Sequence, residues 1–328
     1  MRLYKKAAAC LLTAAMAISM LTACGGGGTG GNGGGNTPST LPDPGEIVLP
    51  GIGEGEGGGE GGGEGTETKP TKTPIAVNSS KLAKFNKNYA GATEFYVEMQ
   101  VVNYDKDGSA MLSTDARLAL KGHKAYMNMT MSGKNQKQRS AEQLILKEDK
   151  LYNTYLLLRD SKVAVKTDSD SAGDGDDPIE SLDSLIAYKL PSQMWSAKMK
   201  VGPNEYDAEV FILDSYEYTV CYTTDGNPVY KFESLGAKQL LEATLYTTIQ
   251  AGSGTSKGLC EIPADFKKYS FDFTKNTITD ANDNVFTLEF QTNSEGDVTS
   301  VKDFDKNSND VSDDFKWAND FYKSMSGQ

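Results

Sequence analysis

The chain has 328 residues, 34 of them Gly, and 20 of those lie between Gly25 and Thr66, so its composition averages two different materials. Lys and Arg number 33 against 45 Asp and Glu with one His, a formal charge of −12; removing Arg2, Lys5 and Lys6 with a leader leaves 30 against 45. Such a field repels nucleic-acid phosphates and anionic membrane surfaces, so nucleic acid is excluded as a partner.

Residues 1–23 read as an export signal, with a basic start, an apolar run from Ala7 to Met20 and then Leu21-Thr22-Ala23 before Cys24. The apolar run is short for a bilayer span and is followed by glycine rather than a basic flank. LTAC resembles the lipobox of bacterial lipoproteins. The resemblance implies cleavage before Cys24, its diacylglyceryl lipidation, and anchoring to the extracytoplasmic face of the cell membrane. Residues 24–77 read as a Gly-, Pro- and Glu-rich tether with too few apolar side chains to offset chain entropy. Its flexible reach is about 40 Å. The EIVLPGI stretch, Glu46 to Ile52, is the one place in it where a partner finds apolar groups.

From Ser80 a helical stretch carries Leu82, Phe85 and Tyr89 at helical spacing, with Ser79 or Ser80 as its cap. Alternation then predicts strands over Thr93–Asn103, Ser109–Lys121, Tyr126–Met131, Gln143–Lys147, Leu151–Leu158 and Lys162–Lys166, with turns at Asp105–Gly108 and KGHK. An acidic loop holding Asp168, Asp170, Asp174, Asp176 and Asp177 leads into a helix from Pro178 to Tyr188. Asp177 caps it, and Ile179, Leu182, Leu185 and Ile186 form its apolar stripe. Pro191 to Pro203 reads as a loop. Strands resume at Glu205–Leu213, Tyr216–Thr224, Pro228–Glu233, Leu240–Gln250, Phe286–Gln291 and Val298–Phe304, and a helix over Asp313–Met325 closes the chain. The sum is an α+β fold, a largely antiparallel sheet of ten or more strands packed with a few helices.

The opening KLAKFNKNYAGATEFYVEMQV, the pair KAYMNMTM and QLILKEDKLYNTYLLL, the hairpin YTVCYTTDGNPVYKFE and the closing GLCEIPADFKKY resemble the lipoprotein carriers of the LolA and LppX kind. The resemblance implies a strongly curved half-barrel over residues 78–269 that encloses acyl chains. Residues 270–328 then form an added hairpin and helix that can fill or cap the cavity. Under this reading Met99, Met127, Met129, Met131, Leu156, Leu182 and Leu185 line an apolar cavity for a lipid or other amphiphile; the same residues also suit a plain core. The rival reading is a cell-surface binding or scaffolding module with a dry core, facing the cell wall or a protein partner.

Reactive chemistry is sparse. The lone His123 lies in a turn, so imidazole relays and zinc sites are hard to assemble. Cys221 and Cys260 fall on predicted strands of an exported domain and read as a disulfide or as two separate buried thiols. Asp303, Asp305, Asn307, Asn309 and Asp314 have calcium-loop spacing, but Ser308 replaces the turn glycine and a strand precedes them. A polar linker capping the last helix, through Asn309 or Ser312, accounts for the same residues. No enzyme or cofactor signature is present, and neither catalysis nor a cofactor is expected.

Overall fold

In the computed structural model, residues 41, 47, 49, 72–89, 92–134, 138–171, 190–213, 215–235, 239–292 and 298–326 are described. The expected leader with Leu21, Thr22, Ala23 and Cys24, and the helix carrying Leu182 and Leu185, lie outside these residues.

Sixteen strands form one sheet. They are β1 (Thr73–Ile75), β2 (Glu94–Tyr104), β3 (Ala110–Lys121), β4 (Lys124–Gly133), β5 (Arg139–Glu148), β6 (Leu151–Leu158), β7 (Val163–Ser171) and β8 (Met194–Val201). After these come β9 (Asn204–Leu213), β10 (Tyr216–Tyr222), β11 (Pro228–Leu235), β12 (Gln239–Ala251), β13 (Lys267–Asp272), β14 (Thr277–Asp280), β15 (Val285–Thr292) and β16 (Val298–Phe304). Two α-helices are described, α1 (Lys81–Tyr89) and α2 (Trp317–Ser326). The expected α+β class is therefore wrong. With 61% strand and 8% helix the described residues are nearly all sheet, and the sheet does not close, β1 and β16 being its two edges.

The order across the sheet is β1-β8-β9-β10-β11-β12-β2-β3-β4-β5-β6-β7-β13-β14-β15-β16. Every pairing is antiparallel except β7 with β13. Two antiparallel blocks, β8–β12 and β2–β7, are thus joined side by side through β12 and β2. The excess of strand over the expected count comes from β1, β8, β13 and β14. In β8, Trp195, Ala197, Met199 and Val201 alternate with Ser196, Lys198 and Lys200, a period-2 pattern hidden between Pro191 and Pro203.

Four turns share one geometry. In Asp105–Ser109, Thr223–Asn227, Asp280–Asn284 and Asp305–Asn309 the first N–H donates to the fifth carbonyl, and the fourth N–H donates to the first. The fourth residue has positive φ, supplied by Gly108 at 77° and Gly226 at 84°, but by Asp283 and Ser308 at 61°. Only glycine adopts this conformation without a Cβ clash, so Asp283 and Ser308 each carry about 1 kcal/mol of strain.

Each sheet face is covered in two places. On the first face α1 crosses the seam between the blocks. Leu82 packs with Met194, Phe211, Tyr218, Val220 and Tyr222, while Phe85 and Tyr89 reach Phe95, Val97, Leu118 and Met127. Farther along that face α2 and the segment before it bring Phe315, Trp317 and Phe321 onto Leu156, Val163, Val165, Ile278 and Val301. On the second face the β12–β13 connection lays Leu259, Cys260, Ile262 and Phe266 over Tyr96, Tyr126, Leu144 and Tyr155. The β8–β12 portion of that face carries Val201, Tyr230, Phe232 and Leu245, with Val102 of β2 beside them, and it is met by Leu41, Ile47 and Leu49. No helix among the described residues is long and apolar enough to cross a membrane.

Candidate functional site

Of the residues expected to line a cavity, Met99, Met127, Met129, Met131 and Leu156 are covered by the chain itself. Met127 and Met129 are buried against Phe85 and Tyr89 of α1, with Met99 packed on the same group. Met131 and Leu156 belong to the neighbouring group under Phe315, Trp317 and Phe321 of the tail. Among the described residues, therefore, the methionine row is a core between two helices. Its physical origin is the alternation of β4, which puts Met127, Met129 and Met131 on the helix-bearing face.

Of the two readings of Cys221 and Cys260, the structure fits that of two separate buried thiols. Cys221 and Cys260 are free and buried, in separate clusters on the second face. Cys221 Sγ lies 3.5 Å from Met199 Sδ. Burial pushes the Cys221 thiol up and raises Cys260 to about 12, so neither supplies a thiolate near neutral pH. A chain begun at residue 40, which lacks Cys10 and Cys24, should show no thiol reacting with a disulfide reagent when native and two when denatured without reductant. A bridge would leave none in either state.

Of the two readings of Asp303, Asp305, Asn307, Asn309 and Asp314, the described geometry fits the polar linker. Asp305 accepts from Asn307 N at 2.8 Å, Asn309 N at 2.8 Å and Asn309 Nδ2 at 2.8 Å, as Asp280 does in its own turn, and these donors hold its carboxyl below the usual range. Its lone pairs thus close a turn instead of facing a cation. Asn307 and Asp314 are exposed, and no group of three metal-binding acids, His or Cys is found among the described residues. Asp303 behaves differently. It is 1% exposed, neither carboxylate oxygen has a hydrogen-bond partner, and burial with Asp310 nearby raises it to about 7. Its backbone N–H donates to Ser312 Oγ at 2.9 Å, and that hydroxyl donates to Asp310 Oδ1 at 2.6 Å. Ser312 holds this loop; it is not a helix cap, and α2 begins at Trp317. His123 lies exposed in the β3–β4 turn.

Sequence reasoning missed the charged groups on the first face beside α1. Ser80 caps the helix, its Oγ accepting from Ala83 N at 2.9 Å, but the first two amides go elsewhere. Lys81 N at 2.6 Å and Leu82 N at 2.9 Å donate to the carboxylate of Glu209 on β9, which also accepts from Tyr222 Oη at 2.9 Å. A carboxylate brought by the sheet thus complements both the orphan amides and the helix dipole. Farther along, Lys231 Nζ lies 2.6 Å from Glu242 Oε1. Burial opposes the Lys231 charge, yet Glu242 and Tyr246 outweigh it and the pKa is raised. Glu233 is raised by burial and by Glu242, with Lys231 and Tyr218 offsetting part of that. The clue was that Glu209 and Lys231 interrupt apolar runs, Ala208 with Val210–Leu213 and Val229–Tyr230 with Phe232.

The second face of β8–β12 is the remaining surface with a defined geometry. Ile47 forms an antiparallel bridge with Val201 on the outer edge of β8, and Leu41 N donates to Gln100 Oε1 at 3.0 Å. β1 pairs with the same edge at Met194–Ser196. The stretch expected to attract a partner therefore contacts this chain's own sheet. Ile47 and Leu49, two residues apart, touch one apolar cluster, as a strand's alternate side chains do.

No protein-family profile matches the chain, and no curated protein matches it. An uncharacterized conserved protein from Thermus thermophilus is similar over 58% of this chain and 96% of its own, at 11% identity and TM-score 0.31. MucB, solved in complex with MucA(peri), is similar over 68% of this chain and 70% of its own, at 12% identity and TM-score 0.26. Likeness of this size supports no inference about fold or function. The strand pairing itself defines an all-β protein of one open sheet.

Proposed function

We propose that this chain is a lipid-anchored extracytoplasmic module that acts by binding a partner at its surface, with a dry interior and no small-molecule cargo. The Leu21-Thr22-Ala23-Cys24 pattern supports the anchor. The observation that carries the dry-interior reading is the filling of the methionine face by Phe85 and Tyr89 on one side and Phe315, Trp317 and Phe321 on the other. Interiors packed in this way leave no room for an acyl chain without displacing a helix.

Organic extraction of the purified mature chain, with Cys24 replaced by Ser, followed by mass spectrometry and native mass measurement tests this. The expected result is a bare polypeptide mass and no stoichiometric lipid. A stoichiometric amphiphile would restore the carrier reading and require α1 or α2 to move off the methionines.

A further inference from the structure

We infer that residues 310–326 are a pH-gated cover: as the pH rises and Asp303 loses its proton, this segment lifts off the sheet while the strands beneath it stay folded. Such a device goes beyond the proposed function and depends neither on the anchor nor on a partner.

The segment is fastened at the residue that carries the buried acid. The Asp303 carbonyl accepts from Val311 N at 2.8 Å, and its N–H donates to Ser312 Oγ at 2.9 Å. Two residues back on the same edge of β16, Val301 N donates to Asn319 Oδ1 at 2.8 Å. Leu288, opposite Asp303 across the β15–β16 pair, and Val301 both belong to the apolar group under Phe315, Trp317 and Phe321. The Asp303 carboxyl shares that covered face, and neither of its oxygens finds a donor there. A neutral carboxyl tolerates such a place. A carboxylate without donors does not, and water reaches it only when the cover moves.

The charges nearby oppose ionisation or are engaged elsewhere. Asp310, the one charge acting on Asp303 among the described residues, has the same sign, and Lys302 acts on Asp310. From the cover, Asp313 pairs with Lys316 at 3.3 Å and Asp314 acts on Tyr269. The Asp305 carboxylate is taken by Asn307 and Asn309, and β15 contributes Phe286, Leu288 and Phe290. Burial and Asp310 raise the Asp303 carboxyl from 3.8 to about 7. The hold on the cover therefore weakens about ten-fold per pH unit between those values and levels off above them.

Lifting is local because the segment follows the last described strand and joins the strand ladders only through the bridge of Asp310 with Phe304. Its release leaves all sixteen strands paired and uncovers Leu156, Val163, Val165 and Ile278.

The test is acrylamide quenching of Trp317 from pH 4.5 to 8 in the mature chain carrying Cys24→Ser and Trp195→Phe, which leaves Trp317 as the only tryptophan. All buffers contain a calcium chelator. Trp317, 5% exposed under the cover, is expected to become several-fold more quenchable as pH rises, with the amide I absorption of the sheet unchanged. Asp303→Asn added to this chain should hold the quenching at its low value throughout. Should that variant fail to fold, Asp310→Asn is read instead; with the like charge gone, the rise should be smaller and level off at lower pH. Quenching that ignores pH, or that rises equally in Asp303→Asn, overturns the inference. Loss of the sheet absorption along with the rise also overturns it, since the transition is then global unfolding. So does suppression of the rise by added calcium in place of the chelator, which would make these acids a cation site.

Discussion

Replacing Asp303 with Asn will leave stability nearly unchanged at pH 4 and raise it by up to about 4 kcal/mol at pH 8. The carboxyl is buried with both oxygens unpartnered, and its pKa in the folded chain is raised from 3.8 to about 7. Well below pH 3.8 the group is protonated in folded and unfolded chains alike, and its environment costs nothing extra. Between pH 4 and 7 the unfolded chain gives up the proton while the folded chain retains it, so stability falls as pH rises. Above pH 7 the folded chain also ionises, the full loss is reached, and the curve flattens. Asn cannot ionise, and its buried amide takes the place of an equally unpartnered neutral carboxyl, so the pH-independent difference between the two is small.

Urea unfolding of both proteins across pH 4 to 9 measures the difference directly. Taking the difference removes the contributions of Asp207, Asp272 and Asp305, whose lowered pKa values act in the opposite sense. Parallel curves would mean that Asp303 is solvated. Asp310→Asn is the companion variant. It removes the negative charge that helps raise Asp303, so the midpoint of the pH-dependent loss should move to lower pH.

Strands were legible wherever alternation was clean and glycine or asparagine turns bounded it, as at Asp105–Ser109 and Thr223–Asn227. Class was not legible, because the α+β expectation leaned on a helix at Pro178–Tyr188 that lies outside the described residues and on reading Pro191–Pro203 as a loop. The prolines outweighed the alternation of Trp195, Ala197, Met199 and Val201, though prolines flanking a strand are compatible with one. Sheet order is not written in local sequence at all. The pairing of β12 with β2, more than a hundred residues apart, and of β7 with β13 depends on which apolar faces are left to cover.

Site residues divide the same way. The methionine row was visible as an inward stripe, but whether a stripe faces a cavity or a helix depends on partners distant in sequence. Asp303 drew notice only for its spacing with Asp305 and Asn307, whereas its register with Val301, which turns it inward, was the informative signal. The spacing itself was that of a turn: the Asp305 carboxylate is saturated by Asn307 and Asn309 amides, so the very pattern that suggests a cation site occupies the ligand.

Glu209→Ala is expected to destabilise the protein by about 3–5 kcal/mol, the largest loss of any single acidic side chain here. Glu209 is 5% exposed and terminates three donors, the amides of Lys81 and Leu82 and the hydroxyl of Tyr222. Removing it strands those donors beside Leu82 and Phe211, where water does not replace the carboxylate, and deprives α1 of the negative charge at its N-terminus. Because α1 crosses the seam between the two blocks, the loss should appear as a lowered global unfolding midpoint instead of local fraying. Glu209→Gln retains an acceptor but loses the charge and one acceptor oxygen, and should fall between the two. Asp207→Ala is the control. That residue is half exposed, bridges Lys81 at 2.8 Å and Lys198 at 2.7 Å, and its removal should cost less than about 1 kcal/mol. Equal losses in the Glu209→Ala and Asp207→Ala variants would show that helix-sheet contact rests on surface charge and not on the buried cap.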